Sequence, residues 1–204
     1  MLALLNKEFV VNFWTNFIGT LILIFASLIT TTYQTPIYLS VFFVLLFVRN
    51  GDGRDELNRS DRLISSLPVS RTQILASKII YGFSIGLVFL LIQTAFNYFI
   101  PGLTSNSLSE IIGILILIVF LLTAYQMFYL IFGPQIMNYI IILIFFAFIT
   151  IIPIMINTGQ FNRFFEFISQ YNLNIIFMSV SVLMLMLTGL MFAINIKLYN
   201  SKDL

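Results

Sequence analysis

Long apolar runs separated by short polar segments make up most of the chain. A membrane-spanning helix needs about 20 mostly apolar residues. Six windows have that character, some with poorly defined ends: Phe13–Thr31, Thr32–Val48, Ile79–Ile100, Glu110–Phe132, Gln135–Ile156 and Asn174–Ile196. The runs are continuous, as in Ile111–Leu122, whereas the strands of a membrane β-barrel would alternate apolar and polar residues. The pattern therefore predicts an all-α integral membrane protein with six transmembrane helices.

Two further segments have amphipathic helical spacing. In residues 1–12 and the start of the first span, one face is apolar and the other polar: Leu2, Leu5, Phe9 and Phe13 against Asn6 and Lys7. This spacing predicts an N-terminal interfacial helix, or else only an irregular start to a long first span. In residues 157–173 the apolar positions recur with helical spacing at Phe161, Phe164, Phe165 and Ile168. That segment either anchors the outer surface as an aromatic belt or gates an outer exit.

Composition and charge agree with a membrane protein and give its orientation. The chain is 60% hydrophobic and 9% charged, whereas soluble domains carry about 25% charged residues. With six spans, nine of the ten Lys and Arg residues fall on one face and only Arg163 falls on the other. Short cytoplasmic loops retain Lys and Arg, so both termini are predicted to be cytoplasmic in a multi-pass protein of the plasma membrane. The net charge of +2 gives no indication of nucleic-acid binding.

Residues 49–78 form the largest polar segment and hold six of the ten basic residues. Asn50–Gly53 has the composition of a flexible turn. A helical pattern follows from Asp55 to Leu67, and Pro68 prevents its smooth continuation. Ser70 and Gln73 have the spacing of a capping box for a second helix that continues into the third span. The alternative is a loop whose charges only set the topology.

The stretch Glu56–Lys78 carries a family resemblance. Its pattern E-L-x-R-x-D-R-L-I-S-S-L-P-V-S-R-x-x-I-x-x-S-K resembles the segment after the second span of ABC-2-type transporter permeases. The resemblance implies a single transmembrane domain over residues 1–204, with 49–78 as a cytoplasmic coupling loop. Small permeases of staphylococcal phenol-soluble modulin exporters are the most similar type within the family.

The same resemblance implies partners and roles for individual residues. Such permeases pair as dimers, identical or not, on cytoplasmic ATPase subunits that bind the ATP and Mg²⁺. The coupling helix would dock in a groove of the ATPase, with Leu63 or Ile64 as the buried anchor. The residues assigned to this coupling are Asp61, Arg62, Leu63, Ile64, Ser65, Pro68 and Arg71. No cofactor is expected in this chain itself.

The sequence lacks several kinds of catalytic and ligand-binding residues. It has no Cys, no His and no Walker A motif, so neither a metal site nor ATP hydrolysis is expected within it. No predicted span has an ionisable residue near its middle, which disfavours an ion-coupled carrier. The polar side chains Gln93, Asn97, Gln126 and Asn138 serve either interhelical hydrogen bonding or a translocation path.

The predicted cargo follows from the apolar character of the spans. Few charges and many Phe, Ile and Leu residues suit an amphipathic or lipid-like cargo, such as amphipathic peptides, lipids or hydrophobic drugs. Among these, the family resemblance implies peptides such as phenol-soluble modulins. The sequence-based hypothesis is thus the permease subunit of an ATP-driven exporter. A non-transporting immunity or scaffold protein that binds a peptide or another partner is the alternative.

Overall fold

Helices account for nearly all of the structure that can be described. The computed structural model describes residues 2–29, 39–57, 69–99, 108–159 and 173–201. The helices are α1 (Leu2–Val11), α2 (Phe13–Ile29), α3 (Leu39–Leu57), α4 (Arg71–Phe99), α5 (Leu108–Asn157) and α6 (Leu173–Ser201). These ranges contain no strand, which confirms the all-α prediction for this part of the chain.

The helix α5 is broken at Gly133. This residue has a φ of 78°, a conformation that glycine adopts without steric cost. Leu121 and Ile144 line the same cavity of about 140 Å³, although a straight helix would hold them about 35 Å apart. The chain therefore reverses direction at Gly133-Pro134, and α5 is a helical hairpin. The break lies between two of the predicted spans, Glu110–Phe132 and Gln135–Ile156.

The core lies where α3, α4 and the first arm of α5 meet. Gly82 and Gly86 of α4 lie one turn apart between these two neighbours. A Cβ atom at Gly82 would lie 2.9 Å from Leu122 and 3.0 Å from Val48, so the absent side chain allows α3 and α5 to approach α4 closely. The buried side chains around these glycines are Val44, Phe47, Tyr81, Phe89, Ile118 and Leu122.

Many large apolar side chains face outward. Three segments of the described chain are long and apolar enough to cross a membrane, Arg71–Phe99, Leu108–Ile144 and Met178–Ser201, and Phe13–Ile22 is a shorter apolar helix. Of these three long segments, the one in α6 is the most exposed, with Met178 and Met186 each 68% exposed. Such a surface requires a lipid environment. The count of six spans stays a prediction.

Both ends of the described chain lie at the same end of the molecule. Leu4 of α1 and Ile74 of α4 are buried against each other, and Tyr199 of α6 packs on this pair. Because α1 begins the chain and α6 closes it, the first and last helices converge on the start of α4. This arrangement agrees with an even number of crossings.

The start of α4 was predicted correctly from the sequence. Gln73 donates its backbone N–H to Ser70 Oγ at 3.3 Å, and the Ser70 backbone N–H donates to Gln73 Oε1 at 3.2 Å. These reciprocal bonds form the predicted capping box.

The prediction of a flexible turn at Asn50–Gly53 is wrong. The helix α3 runs through these residues to Leu57. A Cβ atom at Gly51 would lie 2.9 Å from Asn12 Nδ2, so this glycine serves a close contact with the joint between α1 and α2. Tertiary contacts of this kind override the weak helix propensity of glycine and asparagine.

Candidate functional site

The antiparallel pairing of α3 and α4 ends in an ion pair. A Cβ atom at Gly86 would meet Val44 at 3.2 Å, and one at Gly82 would meet Val48 at 3.0 Å. One turn further along both helices, Lys78 Nζ lies 2.5 Å from Asp52 Oδ1. The close packing of the two glycines thus sets the register that brings these opposite charges together.

Five charged side chains meet at this point, which we term the ionic junction: Lys7, Glu8, Asp52, Asp55 and Lys78. Lys7 Nζ lies 2.6 Å from Asp55 Oδ1 and 3.2 Å from Glu8 Oε1. Lys78 Nζ also lies 3.6 Å from Asp55 Oδ2. Asp52 and Asp55 share one face of α3 because they are three residues apart. The junction therefore joins α1, α3 and α4 through charged groups.

Further hydrogen bonds strengthen the same attachment. Arg54 Nη1 donates to the Val11 carbonyl oxygen at 2.6 Å, which places an arginine of α3 at the end of α1. Asn12 is fully buried and donates its Nδ2 to the Glu8 carbonyl oxygen at 3.0 Å. In α2, Asn16 Oδ1 accepts a hydrogen bond from the Tyr81 hydroxyl of α4 at 2.9 Å. The start of the chain is thus held by α3 and α4 over three helical turns.

Burial makes the electrostatics of Glu8 unusual. Its side chain is 8% exposed. Burial raises the pKa of the Glu8 carboxyl, Lys78 and Lys7 oppose this rise, and the nearby charge of Asp55 adds to it. The net direction of the pKa is upward. Lys7, which the sequence assigned to the polar face of α1, bonds Asp55 through its ammonium group while a quarter of its side chain stays exposed.

Arg71 lies in the first turn of α4 and contacts the end of α6. Its Nη1 donates to the Tyr199 carbonyl oxygen at 2.5 Å and to the Asn200 carbonyl oxygen at 3.2 Å. Its guanidinium carbon lies 5.8 Å from the centre of the Tyr199 ring. Arg71 therefore satisfies carbonyl groups that the C-terminus of α6 leaves open. The coupling role assigned to Arg71 from the sequence stays a prediction.

The other residues assigned to ATPase coupling lie outside the described residues: Asp61, Arg62, Leu63, Ile64, Ser65 and Pro68. The structure does define the two helix ends on either side of them. The helix α3 ends at Leu57, two residues after Asp55. The helix α4 begins at Arg71, seven residues before Lys78. Both neighbouring helix ends are therefore joined through the ionic junction.

The four residues proposed for a translocation path do not come together in one place. Gln93 and Asn97 are buried on one face of α4. Gln126 is buried on α5, and the pairing of Gly82 with Leu122 places it near the level of Lys78. By helical rise, that level is about 22 Å from Gln93.

Asn138 has a specific partner on α3. Its Oδ1 accepts a hydrogen bond from Arg49 Nε at 2.8 Å, which ties α3 to the second arm of the α5 hairpin. Interhelical hydrogen bonding therefore accounts for Asn138. A path along the other three residues stays a prediction.

The ionic junction was not predicted from the sequence. Residues 49–78 are prominent for their positive charge, yet four of the eight acidic residues also lie there: Asp52, Asp55, Glu56 and Asp61. The sequence did contain a signal for the junction. Asp52 and Asp55 are three residues apart, and the basic residue Lys78 follows them in the same segment. They indicate pairing between helices as well as topology.

The described residues form long apolar helices with many apolar side chains facing outward and most of their charged side chains at one end, which are the features of an integral membrane protein. The family comparison is more specific. The chain belongs to the ABC-2 family of transporter proteins, whose family model matches residues 3–200. The resemblance found in Glu56–Lys78 is therefore confirmed at the level of the family. No curated protein and no solved structure matches the chain.

Proposed function

We propose that this chain is the permease subunit of an ATP-driven exporter, with six transmembrane helices and both termini in the cytoplasm. Membership of the ABC-2 transporter family over residues 3–200 is the observation that carries the proposal. ATP and Mg²⁺ would bind to a separate cytoplasmic ATPase, and this chain would supply the membrane pathway. The ends of α3 and α4, α1 and the end of α6 would face that ATPase.

Residues 58–68 would form the contact with the ATPase. In this proposal Asp61, Arg62 and Ser65 lie at the rim of a groove on the ATPase, and Leu63 or Ile64 fills it. Asp55 and Lys78 support the transmission of movement, because they join the helix ends on both sides of this segment. Closure of the ATPase would then move α3 and α4 together instead of bending the link between them.

The cargo and the second protomer are parts of the same proposal. An amphipathic peptide such as a phenol-soluble modulin, or another hydrophobic cargo, would pass between two permease protomers. The exposed apolar side chains of α2 and α6 support this arrangement, since they are available for contact with a second protomer or with the cargo. Phe13, Trp14 and Phe17 form one such exposed aromatic surface.

Co-purification with the ATPase tests the docking contact. The double variant Leu63→Asp with Ile64→Asp is expected to abolish the stable complex while membrane insertion is unchanged. A charged side chain would not enter the apolar groove of the ATPase, so the groove would lose its anchor. Leu108→Asp is the matched control. Leu108 is 75% exposed at the start of α5, at the opposite end of the molecule from the ionic junction, so this variant should bind the ATPase normally.

Reconstitution into vesicles tests the transport function. With the ATPase and ATP inside, vesicles containing the complex should lose an amphipathic peptide from the ATPase side, and the docking variant should not. A complex that binds the peptide without ATP-dependent movement would instead support the immunity or scaffold alternative. Normal ATPase binding by the docking variant would reject the assigned contact while leaving the family assignment in place.

A further inference from the structure

The cavity of about 140 Å³ lies between α3 and the two arms of α5. Leu45 and Leu46 of α3 form one wall, and none of the lining residues that the structure describes is charged. Phe128 and Ile144 also line it and are 40% and 46% exposed, so the cavity reaches the outer surface of the protein. An apolar cavity of about this size stays dry and holds a guest of about six carbon atoms. At the surface of a membrane protein, the apolar guest at hand is a lipid acyl chain.

Arg49 lies at one end of this cavity. It follows the two lining leucines of α3 by one helical turn and therefore shares their face of the helix. Its hydrogen-bond partner Asn138 directly follows Met137, which lines the cavity. From Met137 the lining continues along the second arm of α5 to Ile144, about 10 Å away by helical rise. A cation thus marks the end of the cavity nearest the ionic junction, and apolar side chains extend from it toward the middle of the helices.

The bonds that the structure describes do not neutralise the charge of Arg49. Its Nε donates to the neutral amide oxygen of Asn138 at 2.8 Å, which leaves the N–H donors of both Nη atoms for another acceptor. Asp52, three residues further along α3, pairs with Lys78 instead. A guanidinium group is the side chain best suited to a phosphate, because its planar fork donates two parallel N–H bonds.

We propose that this cavity and Arg49 together bind one anionic phospholipid, with part of an acyl chain in the cavity and the phosphate on the guanidinium group. The charge and the apolar space follow each other in the order in which a phospholipid carries its headgroup and its chains. With the junction end in the cytoplasm, the lipid comes from the inner leaflet, where anionic lipids attract basic side chains. The bound lipid fills the space between α3 and both arms of α5. The site requires neither the ATPase nor a cargo, so failure of the transport proposal would leave it intact.

Native mass spectrometry of the purified chain in detergent measures the binding of single lipids. From an equal mixture of phosphatidylglycerol and phosphatidylcholine with the same acyl chains, phosphatidylglycerol should be bound about fivefold more, the effect of one cation near the membrane surface. Arg49→Gln should remove this preference. Lys197→Gln is the matched control, because it removes one positive charge from an exposed position near the end of α6 and should keep the preference.

Fluorescence quenching by brominated acyl chains in bilayers tests the cavity itself and leaves Arg49 in place, so it applies even if Arg49→Gln folds poorly. Trp14→Phe removes the only tryptophan, and Phe128→Trp then places a reporter on the cavity wall. Brominated phosphatidylglycerol should compete for this reporter about fivefold better than brominated phosphatidylcholine. Met186→Trp in the same background, on the exposed surface of α6, should be quenched equally by both lipids.

Three results would overturn the proposed lipid site. Wild type could bind the two lipids equally, or Arg49→Gln and Lys197→Gln could lose the preference to the same extent, which would show only a general attraction to basic surface. The third result is a Phe128→Trp reporter that neither brominated lipid quenches while Met186→Trp is quenched. Protein, such as a second copy of the chain, would then cover the cavity in place of lipid.

Discussion

Lys78 is the residue on which the ionic junction depends most. Its side chain is 14% exposed, and its ammonium group lies 2.5 Å from Asp52 and 3.6 Å from Asp55. A buried ion pair adds little net stability compared with an apolar pair of similar shape. Loss of one partner is far more costly, because the remaining charge keeps its burial but loses its counter-charge. Lys78 is therefore better understood as a specificity element for the α3–α4 register than as a source of stability.

Lys78→Met should destabilise the protein by about 3–5 kcal/mol, because two buried aspartates lose a shared cation. Unfolding by a denaturing detergent, followed by circular dichroism, measures this change. Lys78→Met combined with Asp52→Leu should recover much of the loss, since it replaces the ion pair by an apolar one. Lys197→Met is the control, because Lys197 is exposed on α6. A double variant as unstable as the single one would contradict the pairing.

The sequence contained the charges of the junction but not their pairing. Lys7 and Asp55 lie 48 positions apart, and their contact depends on how α1 lies against α3. That geometry follows from close approaches such as Gly51 with Asn12, which local patterns do not encode. By contrast, the capping box of Ser70 and Gln73 was predictable because both partners belong to one helical turn.

At the scale of helices, the small residues decide which surfaces meet. Gly19 of α2 faces the ring of Phe47 on α3, and a Cβ atom there would overlap that ring. Phe47 has little freedom to move, since it is buried and its ring centre lies 5.4 Å from that of Phe89. The contact between α2 and α3 therefore depends on the absence of a side chain at one position. Such a contact was not predictable from the sequence. Hydrophobic periodicity does not show which glycines lie at helix contacts, and helix propensity describes glycine only as a weak helix former.

Gly19→Ala should destabilise the protein by about 1–3 kcal/mol, because the added methyl group displaces a packed aromatic ring. The same denaturation measurement applies. Gly189→Ala is the matched control: a Cβ atom at Gly189 of α6 would meet no atom within 4 Å, so this variant should gain up to about 1 kcal/mol from helix propensity alone. Phe47→Leu in the Gly19→Ala background should relieve the clash. Equal effects at both glycines would show that propensity, and not packing, governs the site.

The molecule as a whole has two distinct ends. The ionic junction, the break at Gly133 and the last turn of α6 lie at one end, because Arg49 bonds Asn138 and Arg71 bonds the carbonyl groups of Tyr199 and Asn200. The start and the finish of the α5 hairpin lie at the other end. The predicted apolar windows end at Phe132 and resume at Gln135, which agrees with the reversal at Gly133. The sequence alone left open which charged groups hold the first end together.

Thiol labelling in cells distinguishes the two ends, because the chain contains no cysteine and every introduced one is unique. Asn50→Cys and Ser201→Cys replace exposed residues at the junction end, whereas Leu108→Cys and Thr158→Cys replace exposed residues at the two ends of the hairpin. If both termini are cytoplasmic and α5 crosses the membrane twice, a membrane-impermeant maleimide should label only Leu108→Cys and Thr158→Cys in intact cells. Asn50→Cys and Ser201→Cys should react only after permeabilisation. Labelling of Leu108→Cys without Thr158→Cys would contradict the prediction, because the second arm of α5 would then not cross the membrane.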